Sequence, residues 1–445
     1  MTDYRSVADA VAEEIRTGRL RPGDRLPPQR RFARQHGIAD STAARVYREL
    51  ARRGLTVGEV GRGTFVRAVS PAAAPALTEP AASRVDLELN YPVVPGQAAL
   101  LADGLGALLR PDALAEALRP TGAAGPPAVR EAAADLLARG GWRPDPARVL
   151  FAGNGRQAVA AAVTALVPPG ARLGVEELTY PVVKAVAARL GVTLVPLAMD
   201  EDGLLPQAVE EAHRAGPLSA VYVQPTLHNP LSLTMPRERA ERLAEVLLRL
   251  GVPAIEDAVW AFLRDELPPL ASLAPERTVL VDSLSKRVAP GLTLGFVVAP
   301  GPVAGDIAAA LRSGGWGPGR FALEAAARWQ RDGIVEQLVR AKQREAAARQ
   351  EIAARHLGAF AVRGDPRSYH CWWRLPRPWR ADTFVAAAAR HGIAVAPAAA
   401  FTVGGNHAPN AVRLGLASPS ADDLSRALAT LAGLARSAPD DLIAS

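Results

Sequence analysis

Seven short apolar runs recur between residues 149 and 298: Val149-Leu-Phe, Arg172-Leu-Gly-Val, Val192-Thr-Leu-Val, Ala220-Val-Tyr-Val, Pro253-Ala-Ile, Thr278-Val-Leu-Val and Gly295-Phe-Val-Val. Runs this short, with no polar alternation, read as strands buried on both faces. Helical stretches alternate with them, so the expected body is α/β, a mainly parallel sheet covered on both sides. A long Ala/Arg helix follows residue 320, and then Tyr369–Leu375 and Val412–Leu416 suggest a smaller α+β subdomain over roughly 325–436. A chain of 445 residues suits two or three domains rather than one core.

The first 69 residues are different. They hold fourteen Arg and eight Asp or Glu, so about +6 of the net +7 sits on this segment. A basic head on a nearly neutral body predicts an anionic polymer as the head's partner. Val7, Val11 and Ile15 form one apolar helical stripe, and Pro27-Pro28 to Gly37 brackets a second helix. Asp40 or Ser41 can cap a third helix that Gly54 ends, and two short strands then flank a Gly-rich turn. Three helices and a two-stranded wing make a winged helix-turn-helix. Ser41, Thr42, Arg45 and Arg48 on the third helix, Arg30 and Arg31 on the second, and Arg62, Gly63 and Thr64 at the wing are the candidate contacts to double-stranded DNA. Residues 70–84 are rich in Pro and Ala and form a semi-extended linker to a body spanning 85–440.

Lys286 is one of only three lysines, and it lies between the apolar runs at 278–281 and 292–298. Burial lowers an amine's pKa and frees its lone pair, which suits Schiff-base chemistry. The single cysteine, Cys371, excludes an internal disulfide and a cysteine-based zinc site, and no metal is expected. Met1-Thr-Asp-Tyr-Arg5 carries no apolar leader, and no run is long enough to span a bilayer, so a cytoplasmic protein with no membrane partner is expected.

The segment Asp282-Ser-Leu-Ser-Lys286-Arg-Val-Ala-Pro-Gly-Leu-Thr-Leu-Gly295 resembles the pyridoxal-phosphate (PLP) lysine motif of fold-type I aminotransferases. Pro22-Gly-Asp-Arg-Leu-Pro-Pro-Gln-Arg-Arg31 with Gly61-Arg-Gly-Thr-Phe-Val66 resembles the GntR-type winged helix. Together they make the chain look like a MocR-type regulator over nearly its whole length. The resemblance implies that Lys286 binds PLP covalently, Asp257 faces the pyridine nitrogen, Asn229 donates to the phenolic oxygen and Tyr180 covers the ring. It implies a phosphate turn at Gly155, Arg156 and Gln157, further cofactor contacts from Trp260, Ser283 and Arg287, and Arg413 as the grip on an effector's carboxylate. It also implies a homodimer.

Four positions depart from the family pattern. Ala39-Asp40 stands where Ser-Arg is usual, Trp260 replaces Tyr, Thr293 replaces Arg, and Pro230-Leu-Ser replaces Pro-Thr-Gly. Arg287 and Arg156 are the candidates to replace the missing arginine at the phosphate. The leading expectation is a PLP-dependent transcriptional regulator sensing an amine, an amino acid or PLP itself. An aminotransferase carrying a DNA-binding head is the alternative, and a PLP-free regulator with a relic body is a third reading.

Overall fold

A computed structural model of the chain describes residues 4–16, 19–20, 24–52, 55–59, 63–66, 84–404 and 408–437. The linker up to residue 83, Gly61 and Arg62 lie outside the described residues. Two compact units result, Met1–Pro75 and Ala76–Ser445.

In the first unit, α1 (Tyr4–Arg16), α2 (Gln29–His36) and α3 (Asp40–Arg52) precede an antiparallel pair, β1 (Thr56–Glu59) and β2 (Gly63–Val66). Val7, Val11, Phe32, Val46, Tyr47 and Leu50 close the core, with Phe32 and Tyr47 edge to face at 5.1 Å. Gly37 ends α2 at φ 62°, a left-handed turn that favours glycine. Two details differ from expectation. Helix α3 begins one residue early: Ala39 O accepts the first helical bond from Ala43 N, which leaves Asp40 in the first turn, facing the positive end of the helix dipole. Asp24–Leu26, beside the expected turn, pairs with the wing through Leu26 N to Thr64 O and Val66 N to Asp24 O, both 2.8 Å.

In the second unit, β3 (Val85–Leu87) comes first in the chain. A seven-stranded sheet then forms from β4 (Val149–Ala152), β5 (Arg172–Glu176), β6 (Thr193–Leu197), β7 (Ala220–Val223), β8 (Ala254–Asp257), β9 (Thr278–Ser283) and β10 (Gly295–Val298). Their spatial order is β4-β10-β9-β8-β7-β5-β6, and β10 alone runs antiparallel to its neighbours. All seven apolar runs became strands, six of them almost wholly buried, while the edge strand β6 leaves Thr193 and Pro196 exposed. A five-stranded sheet joins β11 (Val362–Gly364), β12 (His370–Arg374), β13 (Ile393–Pro397) and β14 (Ala411–Gly415). Its fifth strand is β3, parallel to β13 with Val85 opposite Ile393, so this smaller layer also takes a segment from the start of the body. No helix of the described residues is long and apolar enough to cross a membrane.

Candidate functional site

On the head, Arg30, Arg31, Ser41, Arg45 and Arg48 are exposed, and Thr42 and Thr64 half-buried. Ser41, Arg45 and Arg48 recur at helical spacing opposite the buried Ala43, Val46, Tyr47 and Leu50. One face of α3 holds the core while the other presents hydroxyl and guanidinium groups to solvent. Gly63 opens β2, and Arg62, the expected wing-tip contact, lies outside the described residues.

In the body, the candidate residues gather beyond the C-terminal ends of the parallel strands, where open α/β sheets place their ligands. Asp257 ends β8, Ser283 ends β9, and β4 leads through Gly153-Asn154 into α4 (Gly155–Leu166). The Asn154 side chain caps α4 by accepting from Gln157 N at 3.0 Å. The first-turn N–H groups of α4 have no partner within the helix. A Cβ on Gly155 would meet Ser283 Cβ at 2.9 Å, and one on Gly295 would meet Asn154 O at 2.4 Å, so both glycines permit close passage. Tyr180 precedes α5 (Pro181–Leu190) and, with Tyr91, lies beside the Arg156 guanidinium and raises its pKa.

Lys286 sits on the single turn α6 (Leu284–Arg287). Its Nζ donates to Asn90 O at 2.5 Å and lies 4.7 Å from the Tyr91 ring centre and 5.3 Å from that of Trp260. Burial pushes the amine down to about 7, helped by the cationic Arg156, Arg413 and Lys342. Asp257 accepts from Tyr222 Oη at 2.6 Å, Gln224 Nε2 at 3.1 Å and Val259 N at 3.1 Å. Burial raises its carboxyl to about 6 against these bonds. Gln224 also accepts from Asn229 N at 3.3 Å, which ties Asn229 to Asp257. Asn229 Oδ1 is buried without a partner.

Arg413 on β14 is buried over the Phe401 ring at 5.4 Å and donates to Glu88 O. Its Nε has no acceptor, and burial draws its pKa down to about 10. A buried guanidinium with an idle donor suits an incoming carboxylate.

Arg287 departs from the expected role at the phosphate. It pairs with buried Asp282 at 2.5 Å and lies over Phe262, which commits one end of its guanidinium, while its Nε has no partner. Beside Gly155, hydroxyls gather instead: Ser283 Oγ meets Ser285 Oγ at 3.0 Å and Thr293 Oγ1 at 3.1 Å. Trp260 packs among Phe262, Tyr369 and His370, the last held neutral by burial that takes its pKa to about 3.

Asn90, Tyr91, Tyr222 and Lys342 were not singled out in the sequence. Tyr222 left a signal, because a hydroxyl inside an apolar run needs a buried partner. Asn90 and Tyr91 left none.

Cradle glycines, a buried amine and a raised carboxyl all fit PLP. Together they define a fold-type I aminotransferase body behind a winged-helix head. Residues 113–431 match the family described as Aminotransferase class I and II, and residues 3–66 match Bacterial regulatory proteins, gntR family. The chain is 30% identical to the HTH-type transcriptional regulator YdeF of Bacillus subtilis, over 94% of this chain and 90% of that protein. It is 28% identical to the HTH-type pyridoxine biosynthesis transcriptional regulator PdxR of Corynebacterium glutamicum, over 67% of each. Among solved structures, the α-aminoadipate aminotransferase LysN of Thermus thermophilus, complexed with N-(5'-phosphopyridoxyl)-L-leucine, superposes with a TM-score of 0.71 at 22% identity, over 81% of this chain and 93% of that one. The chain belongs to the MocR subfamily of GntR-type transcriptional regulators, whose body has the PLP-dependent class I and II aminotransferase fold.

Proposed function

We propose that the body holds PLP through Lys286, that it senses PLP itself or an amine or amino acid that binds there, and that this changes how the head engages DNA. The carrying observation is a near-neutral Lys286 amine and a raised Asp257 carboxyl at the C-terminal ends of neighbouring strands, with Arg413 and its idle donor reaching the Lys286 amine from the smaller sheet. PLP supplies an aldehyde that amines attack and a ring that accepts electrons. Asp257 would hold the ring nitrogen's proton, Asn229 would serve the phenolic oxygen and Tyr180 would cover the ring. Gly155, Arg156 and Gln157 would hold the phosphate with Ser283. Arg156 is the guanidinium left for that charge, since Arg287 is paired with Asp282. Arg413 would orient the effector's carboxylate.

Lys286 could itself move a proton at the ring, but the indole of Trp260 donates one N–H and accepts nothing, so it cannot assist as the usual tyrosine hydroxyl could. This favours sensing over transamination. Loaded protein should change its absorbance when an amino acid binds, yet convert no keto acid steadily. Sustained conversion would make it an enzyme.

The body is read as a homodimer. Exposed Leu109, Leu114, Leu118 and Phe321 support this as an apolar surface suited to burial. A retarded DNA complex should then contain two chains, and a single chain per complex would contradict the dimer.

A further inference from the structure

Only three of the 52 basic side chains are lysines, and all three aim their amines at main-chain carbonyls. Lys184 Nζ reaches Ala400 O at 2.9 Å and Thr402 O at 2.8 Å. A compact ammonium with rotatable donors can serve two converging carbonyls. Lys342 is the most enclosed of the three, with no exposed surface. It reaches from the long helix α7 (Ile334–Leu357) to Lys286 O at 2.9 Å and Val288 O at 2.6 Å. Gln97 Nε2 also donates to Val288 O, at 3.0 Å.

These carbonyls close the one-turn helix that carries Lys286, and a helix this short cannot satisfy its own last carbonyls. The charged groups facing Lys286 are Arg156, Arg413 and Lys342, all cations. Those around Lys342 are Lys286 itself and Glu345, which accepts from Tyr369 Oη at 2.8 Å.

We propose that Lys342 is a positioning residue for Lys286: its buried amine fixes the turn that aims the Lys286 side chain and sets a further positive charge beside it. The inference rests on the reading of Lys286 as the cofactor's anchor. Burial pulls the Lys342 amine down to about 7, against the pull of Glu345, so its charge is itself adjustable near neutral pH.

The test uses the full chain freed of PLP. Lys286 is acetylated competitively across a pH series and quantified by mass spectrometry in wild type, Lys342→Met and Lys342→Gln. Loss of the neighbouring charge should raise the pH midpoint of Lys286 acetylation by about one unit in both variants. Lys342→Gln, which keeps a donor for the carbonyls, should retain more PLP on reloading than Lys342→Met. An unchanged midpoint in either folded variant overturns the proposal. So does equal PLP retention by the two. Wild-type protein that never takes up PLP would instead overturn the cofactor reading, on which the acetylation midpoint does not depend.

Discussion

Lys286→Ala should cost the protein its covalently held PLP and bleach its yellow colour, leaving only cofactor bound through the phosphate turn and ring contacts. The expected loss of affinity is roughly a hundredfold, about 3 kcal/mol. No second amine stands ready to replace it: Lys342 has no exposed surface and donates to two carbonyls, and Lys184 is engaged by Ala400 O and Thr402 O. Reductive trapping of the wild type should therefore label one peptide, the one containing Lys286. The remaining contacts, with Asp257, Asn229 and the Gly155 turn, are untouched by the substitution, so residual non-covalent binding is expected. Trapping at another lysine, or unchanged colour in the variant, would sink the assignment.

The second large effect belongs to the head. Replacing Arg45 and Arg48 with Ala should weaken DNA binding by roughly ten- to a hundredfold at physiological salt. It should also flatten the salt dependence by about one log-log unit for each phosphate contact removed. Both side chains are exposed, while Val46, Tyr47 and Leu50 keep the helix packed, so the fold should survive. Uniform weakening across sequences would mark phosphate contacts, and relaxed discrimination at one base pair would mark readout of a base edge. Unchanged affinity and salt slope would mean that another surface meets the DNA.

Much of this was legible in the sequence, for identifiable reasons. A strand covered on both faces must be apolar throughout, so six of the seven strands announced themselves as unbroken runs, while β6 at the sheet's edge was read from a similar run although Thr193 and Pro196 are exposed. Lys286 and Asp257 were legible because polar groups at the ends of such runs lie where the sheet meets its ligand, whereas Asn229, and Arg413 in the middle of β14, were picked out through the family resemblance. What stayed hidden depends on contacts between distant segments. Lys286 bonds to Asn90, 196 residues away, and Lys342 reaches back 54 residues to Val288. The pairing of β3 with β13 is of the same kind, since a three-residue strand carries no pattern of its own. Arg287 was legible as a cation near the cofactor lysine, but its commitment to Asp282 appeared only when the turn between β9 and α6 brought the two together.

Occupancy of the body by PLP is proposed to alter the head's grip on DNA. The most direct test is the affinity of the full chain for the DNA immediately upstream of its own gene, measured by retardation at fixed salt with and without saturating PLP. A shift of severalfold or more is expected in the wild type, on the order of 1 kcal/mol of coupling or above, and its loss in Lys286→Ala. Identical affinity for that DNA in fully loaded and PLP-free wild type would contradict it.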